Sequence, residues 1–317
     1  MSQKGLLVVA LGGNALQEPD GDDSVESDFA RTKETAGKLA SLAAAGWRLV
    51  ITHGNGPQVG NHLLRSELGH VHGELPLLPL DMCVADTQGG MGYMIQQCLT
   101  NALHELDLAA VVVSVVTQAL VDRDDPAFEN PSKPVGEVIP AERAEILRAQ
   151  GWHLQEDSHR HGFRRVVASP EPTEIVEASA IRAMVQDGVL VVAGGGGGVP
   201  VVADGNGGLS GIAAVVDKDF AAALLAIDLR ADGLLVLTNV EGVSLDYDTP
   251  RERLKRSLTV AEARNYLADG QFPPGSMGPK VEAVCRFVEA SGNVGVITSI
   301  DRADGALDRS AGTRITP

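Results

Sequence analysis

Three apolar runs in this sequence lead directly into glycine-rich turns. Residues 6–11 run into Gly12-Gly13-Asn14, residues 47–52 into Gly54-Asn55-Gly56, and residues 189–193 into Gly194 to Gly198. Glycine has no Cβ to block close approach, so successive N–H groups in such turns can converge on an anion. One such turn is ordinary punctuation after a strand. Three of them point to phosphate binding, because open α/β sheets bind ligands beyond the carboxyl ends of their strands. Two lysines carry the same message: Lys218, flanked by Asp217 and Asp219, opens one helical pattern, and Lys280 follows Pro279 in the first turn of another. A cation at a helix N-terminus is unfavourable by roughly 0.3–1 kcal/mol, whereas an anion there is favourable. An anion lying between the two lysines accounts for this placement. The competing reading puts both in solvent, or has Asp217 and Asp219 neutralise Lys218 locally.

The common nucleotide signatures are absent. No Gly-x4-Gly-Lys-Ser/Thr occurs, since Gly37-Lys38 is followed by Leu39, and the third fingerprint position after Gly54-x-Gly56 is Val59. A P-loop enzyme and a standard dinucleotide-binding dehydrogenase both lose ground. The net charge of -16 repels nucleic acid and anionic lipid at long range, so any anion site must be built locally from N–H groups and a few positioned cations. No apolar run is long enough for a membrane span and no signal-type leader opens the chain, which makes the cytoplasm the expected address. Cys83, Cys98 and Cys285 are too few and scattered for a disulfide framework and read as reduced, buried thiols.

Strand patterns alternating with helical ones must position these residues. Helices are expected over residues 27–45, 57–68, 91–106, 175–186 and 219–228, and strands at 6–11, 47–52, 110–116, 189–193, 234–238 and 294–298. Thr259 and Glu262 form a capping box for a helix to about residue 267, and Pro279 takes the first position of a helix ending near Gly292. The alternation predicts an α/β fold: an open, mostly parallel, doubly wound sheet with helices on both faces. Residues 121–172 break the pattern with Pro, Asp, Arg and His and one short helix at 141–150, and are expected to protrude as a small subdomain.

The sequence becomes more specific when its motifs are taken together. Val9-Ala10-Leu11-Gly12-Gly13-Asn14-Ala15-Leu16, Thr52-His53-Gly54-Asn55-Gly56-Pro57-Gln58-Val59-Gly60, Asn130-Pro131-Ser132-Lys133-Pro134-Val135-Gly136, Arg164-Arg165-Val166-Val167, Val216-Asp217-Lys218-Asp219 and Pro274-Gly275-Ser276-Met277-Gly278-Pro279-Lys280 resemble carbamate kinases, members of the amino acid kinase family, in order and spacing over nearly the whole chain. The resemblance implies one amino acid kinase-like domain of two lobes. The N-terminal lobe, about residues 1–190, would serve the phosphoryl acceptor, and the C-terminal lobe, about 191–317, the nucleotide. It also implies a homodimer. Acetylglutamate kinases carry a lysine just before the first Gly-Gly turn, where this chain has Ala10; in carbamate kinases the protruding subdomain supplies that charge, which makes Lys133 the matching residue.

Reversible phosphoryl transfer between ATP and carbamate then follows as the implied activity, used to make ATP in arginine or purine breakdown. Such a transfer needs positioning and cations more than a general base, because the acceptor is already ionised. Gly12, Gly13, Asn14, Gly54, Asn55 and Gly56 would hold carbamate and the moving phosphoryl group, and Lys133, Lys218 and Lys280 would stabilise its charge. Asp217 and Asp219 would fix the lysines and could position Mg²⁺, through water, beside ATP or ADP. On the nucleotide side the resemblance places Gly194, Gly195, Thr238, Asn239, Val240, Tyr247, Met277 and Gly278. Tyr247 is equally compatible with a surface turn and Met277 with a core filler. His53, Arg164 and Arg165 receive no assigned chemistry, with Arg164 and Arg165 open to docking the subdomain or contacting anions. Two alternatives stand beside this reading: another acylphosphate-forming kinase of the family, and a non-catalytic binding protein on the same scaffold. The second would be expected to lose the charged residues that are present here.

Overall fold

In a computed structural model of the protein, the described residues are 4–16, 24–149, 151–157, 162–306 and 310–317. In chain order they form β1 (Leu6–Leu11), α1 (Val25–Ala44), β2 (Arg48–His53), α2 (Gly56–Gly73), α3 (Leu80–Glu105), β3 (Val112–Ser114) and β4 (Gln118–Val121). Then come β5 (Lys133–Ile139), α4 (Ala141–Ala149), β6 (Leu154–Asp157), β7 (Gly162–Val167), β8 (Pro172–Ile175), α5 (Ala178–Gln186), β9 (Leu190–Val192), β10 (Val199–Ala203) and β11 (Leu209–Gly211). The C-terminal part contains α6 (Lys218–Asp228), β12 (Gly233–Thr238), β13 (Val243–Leu245), β14 (Arg253–Lys255), β15 (Ser257–Thr259), α7 (Val260–Ala268), α8 (Met277–Ser291), β16 (Val294–Ser299), α9 (Ala303–Ala306) and β17 (Thr313–Thr316).

Eight strands make one sheet in the order β15-β17-β16-β12-β1-β2-β9-β3. Every pairing is parallel except β16 with β17. Because side chains alternate along a strand, the fully apolar β1 serves two cores at once. Leu6, Val8 and Ala10 pack with α5, α6 and α8 on one face, while Leu7, Val9 and Leu11 pack with α1, α3 and α9 on the other. The doubly wound reading is therefore correct, and one continuous sheet takes strands from both the N-terminal and the C-terminal parts of the chain. Local chemistry sets the helix ends: Thr259 and Glu262 form the capping box, and Gly292 closes α8 in the left-handed conformation at φ 70°.

The structure corrects the sequence reading in several places. Helix α3 begins at Leu80 rather than residue 91, despite Gly89, Gly90 and Gly92. Packing explains part of this, since a Cβ on Gly92 would lie 2.0 Å from the Ser114 Oγ of β3. Residues 172–175, partly read as the start of a helix, form a strand instead, and α5 starts at Ala178. A second sheet, β11-β10-β4-β8, was not anticipated. The protruding unit is narrower than residues 121–172: it is the antiparallel sheet β5-β7-β6 with α4. Helix α8 starts at Met277, which puts Pro279 at its third position. Among the described residues no helix is long and apolar enough to cross a membrane. All three cysteines are free and buried, as expected, and burial pushes the Cys285 thiol up to about 11.

Candidate active site

Neighbouring parallel strands bring their carboxyl-end turns together. Gly12 N–H donates to the Leu237 carbonyl at 2.9 Å, and Gly54 N–H donates to the Leu11 carbonyl at 3.2 Å. A Cβ on Gly12 would sit 2.9 Å from that Leu237 oxygen; one on Gly54 would sit 3.2 Å from Lys218 Cδ and 3.8 Å from the Gly13 nitrogen. Glycine at these two positions thus lets β1, β2 and a lysine stem meet. Gly56 opens α2, and its N-cap, Asn55, makes no side-chain cap. The buried Asn55 amide instead donates to Thr87 Oγ1 of α3 at 2.9 Å, so the first N–H groups of α2 remain available to a ligand. Asn14 lies in the first turn by its backbone; its side chain is outside the described residues.

The three lysines converge, from three separate elements, on two aspartates. Lys133 of β5 places Nζ 2.5 Å from Asp217 Oδ2. Lys218, at the start of α6, places Nζ 2.5 Å from Asp219 Oδ1, and Lys280 of α8 places Nζ 3.2 Å from Asp219 Oδ2. Asp217 is also the N-cap of α6, with Oδ1 accepting the Asp219 N–H at 2.8 Å. One aspartate therefore fixes the start of the helix and the subdomain lysine, while the other clamps two helix-borne lysines. The solvent-facing alternative for these lysines is excluded by the geometry: the Lys218 and Lys280 side chains retain only 13% and 15% exposure.

The electrostatics follow from this crowding. Burial alone would raise the Asp219 carboxyl, but Lys218 and Lys280 more than offset it and hold the group well below the usual carboxylate range. Burial, together with repulsion from Lys218, lowers Lys280 below the ordinary lysine value of 10.5, with Asp219 opposing the shift. Among the described residues no group of three or more His, Cys, Asp or Glu could hold a metal. Each oxygen of Asp217 and Asp219 accepts one hydrogen bond, from an ammonium or an N–H group. The arrangement suits an ion that arrives on nucleotide phosphates.

Beside this cluster lies a cleft of about 340 Å³ whose wall includes Gly12, Gly13, Lys218 and Lys280. Thr238, Asn239, Val240, Tyr247 and Met277 line it too, so the structure gathers them as expected. Gly242, Ser244 and Phe272 also line it and were missed; β13 with the turn before it, and the loop before α8, carry them and have no periodicity that singles them out. Gly278 is not on this wall: it is buried in the first turn of α8, where its N–H donates to Pro273 at 3.0 Å.

Gly194 and Gly195 are likewise not brought to the cleft. The polyglycine turn lies beneath the second turn, where a Cβ on Gly195 would meet His53 Nε2 at 2.3 Å and one on Gly196 would meet Asn55 Nδ2 at 2.2 Å. Gly194, Gly196, Gly197 and Gly198 all have positive φ, which is why the run must be glycine. Gln88 braces it through Thr117, donating to its carbonyl at 2.9 Å and accepting its N–H at 2.8 Å, while Thr117 Oγ1 accepts the Gly194 N–H at 2.9 Å. His53 is fully buried there. Desolvation lowers its pKa to about 4, with the Gly54 carbonyl opposing and Lys218 adding to the shift, so the ring is neutral near pH 7. It is a core hydrogen-bonder, with Nδ1 3.1 Å from the Gly54 oxygen.

The two arginines left without a role belong to the subdomain seat. Arg164 donates to the Gly136 carbonyl at 2.9 Å, and Arg165 pairs with Glu67 of α2 at 2.8 Å while its guanidinium lies 4.1 Å above the Trp152 ring. Arg165 thereby docks the subdomain on α2, with Lys133 against Asp217, while Arg164 ties β7 to β5 within it.

The profile of the amino acid kinase family matches residues 5–299. The carbamate kinase of Pyrococcus furiosus is 45% identical over 312 residues, covering 98% of this chain and 99% of the relative, and that of Clostridium perfringens is 44% identical with the same coverage. The structure of the carbamate kinase from Giardia lamblia bound to AMP-PNP superimposes with a TM-score of 0.91 at 39% identity, covering 100% of this chain and 99% of the other.

Proposed function

The chain belongs to the amino acid kinase family and within it groups with the carbamate kinases, and from that premise we propose that it transfers a phosphoryl group reversibly between ATP and carbamate. The observation that carries the reading is the convergence of Lys133, Lys218 and Lys280 on Asp217 and Asp219, at the border between the glycine turns and the 340 Å³ cleft. Nucleotide lies in the cleft against Thr238, Asn239, Val240, Tyr247 and Met277, its terminal phosphate toward Lys218 and Lys280. Carbamate and the moving group lie over Gly12, Gly13, Asn14, Gly54, Asn55 and Gly56. Gly194 and Gly195 act from below, as the floor of that turn. Gly278 shapes the start of α8 and so aims Lys280.

In this arrangement charge on the three equatorial phosphoryl oxygens meets three ammonium groups and backbone N–H dipoles in a site largely shielded from water. The acceptor needs no deprotonation, and His53, beside the second glycine turn, is accordingly buried and neutral. Asp217 and Asp219 orient the lysines rather than reacting. Mg²⁺, carried by the nucleotide phosphates, supplies further charge neutralisation when bound.

The test is a panel of phosphoryl donors with ADP and Mg²⁺. ATP formation from carbamoyl phosphate, and little from acetyl phosphate or N-acetylglutamyl phosphate, is expected. The reverse preference would assign the chain to another acceptor within the family.

Protonation of Lys280 sets a second expectation. Its pKa is lowered below 10.5, and only the cation stabilises the transferring group, so turnover should fall as pH rises through that lowered value. Lys280→Arg keeps its charge at any accessible pH and should move the alkaline limb of the kcat profile upward. An identical limb in both proteins would assign it to another group.

A homodimer in the cytoplasm, making ATP during arginine or purine breakdown, is the proposed setting. Leu64, Leu68, Val71, Leu75, Leu77 and Met82, on α2, the loop after it and the start of α3, are 41–70% exposed and supply an apolar face for self-association. Sedimentation equilibrium should return twice the 33.1 kDa chain mass, and Leu68→Glu with Val71→Glu should return the monomer. A monomeric parent protein would count against the dimer.

A further inference from the structure

The position of Lys133 depends on a backbone contact that no charged residue makes. Helix α2 presents Gly56, Gly60 and Glu67 along one face, at helical spacing. Gly56 belongs to the acceptor turn, and Glu67 pairs with Arg165 of β7 at 2.8 Å. Between them, Gly60 meets β5 so closely that a Cβ on it would lie 1.9 Å from Gly136 Cα and 2.2 Å from Gly136 N. Gly136 is adapted to the contact in two further ways. It takes φ +72° where the β5–β7 register shifts, a bulge that re-aims the strand, and Arg164 holds its carbonyl at 2.9 Å. Lys133 stands three residues earlier on the same strand, with its ammonium on Asp217.

Resting on the reading of Lys133 as a holder of the transferring phosphoryl group, we infer that Gly60 is a positioning residue: its missing side chain sets the α2–β5 separation and so the place of the Lys133 ammonium over the acceptor turn. Arg164 supports the same placement by fixing the Gly136 bulge. One helix thereby references both halves of the acceptor site, its own first N–H groups and the subdomain lysine. A methyl group at residue 60 cannot be absorbed by a flexible neighbour, because what it meets is backbone. The strand must move outward, and Lys133 moves with it. The nucleotide cleft, walled by other elements, has no residue in this contact.

The experiment is a kinetic double-mutant cycle on the full chain with Gly60→Ala, Lys133→Ala and both together, read as ATP formation from carbamoyl phosphate and as ADP affinity by calorimetry. Gly60→Ala should lower kcat/KM for carbamoyl phosphate by about ten- to a hundredfold, the scale of an ångström-sized misplacement. ADP affinity should change by less than about threefold, and in the Lys133→Ala background the same substitution should have an effect of less than about twofold, because its target is gone. Equal losses in both backgrounds, or a parallel loss of ADP affinity, overturn the inference while leaving the kinase reading in place. Near-normal turnover in Lys133→Ala overturns both the inference and the role given to Lys133. Should Gly60→Ala not fold, Arg164→Gln carries the test: its smaller loss must also vanish without Lys133, and persistence of that loss overturns the inference.

Discussion

Lys218→Ala should reduce the rate of ATP formation from ADP and carbamoyl phosphate by a hundredfold or more, the loss typical of removing one electrostatic stabiliser, about 2.7–4 kcal/mol of transition-state free energy. Lys218 is the residue through which both halves of the site touch. Its stem lies against Gly54 of the acceptor turn, its side chain lines the nucleotide cleft, and its ammonium is held 2.5 Å from Asp219. A lysine at a helix start opposes the helix dipole, a cost that Asp219 offsets in the free protein and an anionic ligand beside the ammonium would offset further. The charge that develops during transfer is shielded from water, where a fixed cation is worth more than in bulk. ADP affinity should fall less than turnover, since Lys280 and the remaining cleft wall still bind the nucleotide. Lys218→Arg should not restore full activity, because the planar guanidinium is broader than the lysine terminus that fits beside Gly54. Turnover within tenfold of the parent in Lys218→Ala would remove this residue from the mechanism.

Asp219→Asn should lower the stability of the ligand-free protein by about 3–5 kcal/mol at neutral pH, as expected when one member of a buried ionic cluster is removed. The carboxylate is 3% exposed and is the shared counter-charge of Lys218 and Lys280. Without it two ammonium groups face each other across a buried site. The pH dependence has a definite sign. The folded-state pKa of Asp219 is held below the ordinary aspartate value of 3.8, so its contribution is complete above that value and is lost as pH falls through the lower folded-state one. As pH rises through the lowered value of Lys280 that ammonium discharges, its repulsion with Lys218 is relieved, and the deficit of the variant should shrink. Urea unfolding of both proteins from pH 5 to pH 10 reads this directly; a deficit under about 1 kcal/mol, or one that grows with pH, would contradict the shared counter-charge.

Much of the site was legible because its chemistry leaves marks in one dimension. Cations at helix starts and glycines after strands are locally unfavourable choices, and such choices stand out where a ligand compensates for them. Lys218 and Lys280 were found that way, whereas Lys133 needed the resemblance, since nothing around residue 133 announces a site. The parallel sheet was readable from strands buried on both faces. The second sheet was not: β10 contains Pro200 and pairs with β4, about eighty residues away, so its strands exist through long-range partners rather than local propensity. The same limit explains Gly194 and Gly195. Gly194 takes a positive φ, as its residue type permits, but that Gly194 lies against Thr52 and Gly195 against His53, away from the cleft wall, depends on neighbours brought in by the fold. Within the helix expected over residues 57–68, it is the approach of β5 that gives Gly60 a purpose.

A structure with ADP, Mg²⁺ and aluminium fluoride as the phosphoryl mimic measures the central claim most directly. The predicted result is that the ammonium nitrogens of Lys133, Lys218 and Lys280 all lie within hydrogen-bond reach of the fluoride ligands, about 2.7–3.2 Å, with N–H groups of the Gly12 and Gly54 turns opposite them. The contradicting result is a mimic bound elsewhere, or bound in the cleft with the three lysines still closed on Asp217 and Asp219 and none of them touching it.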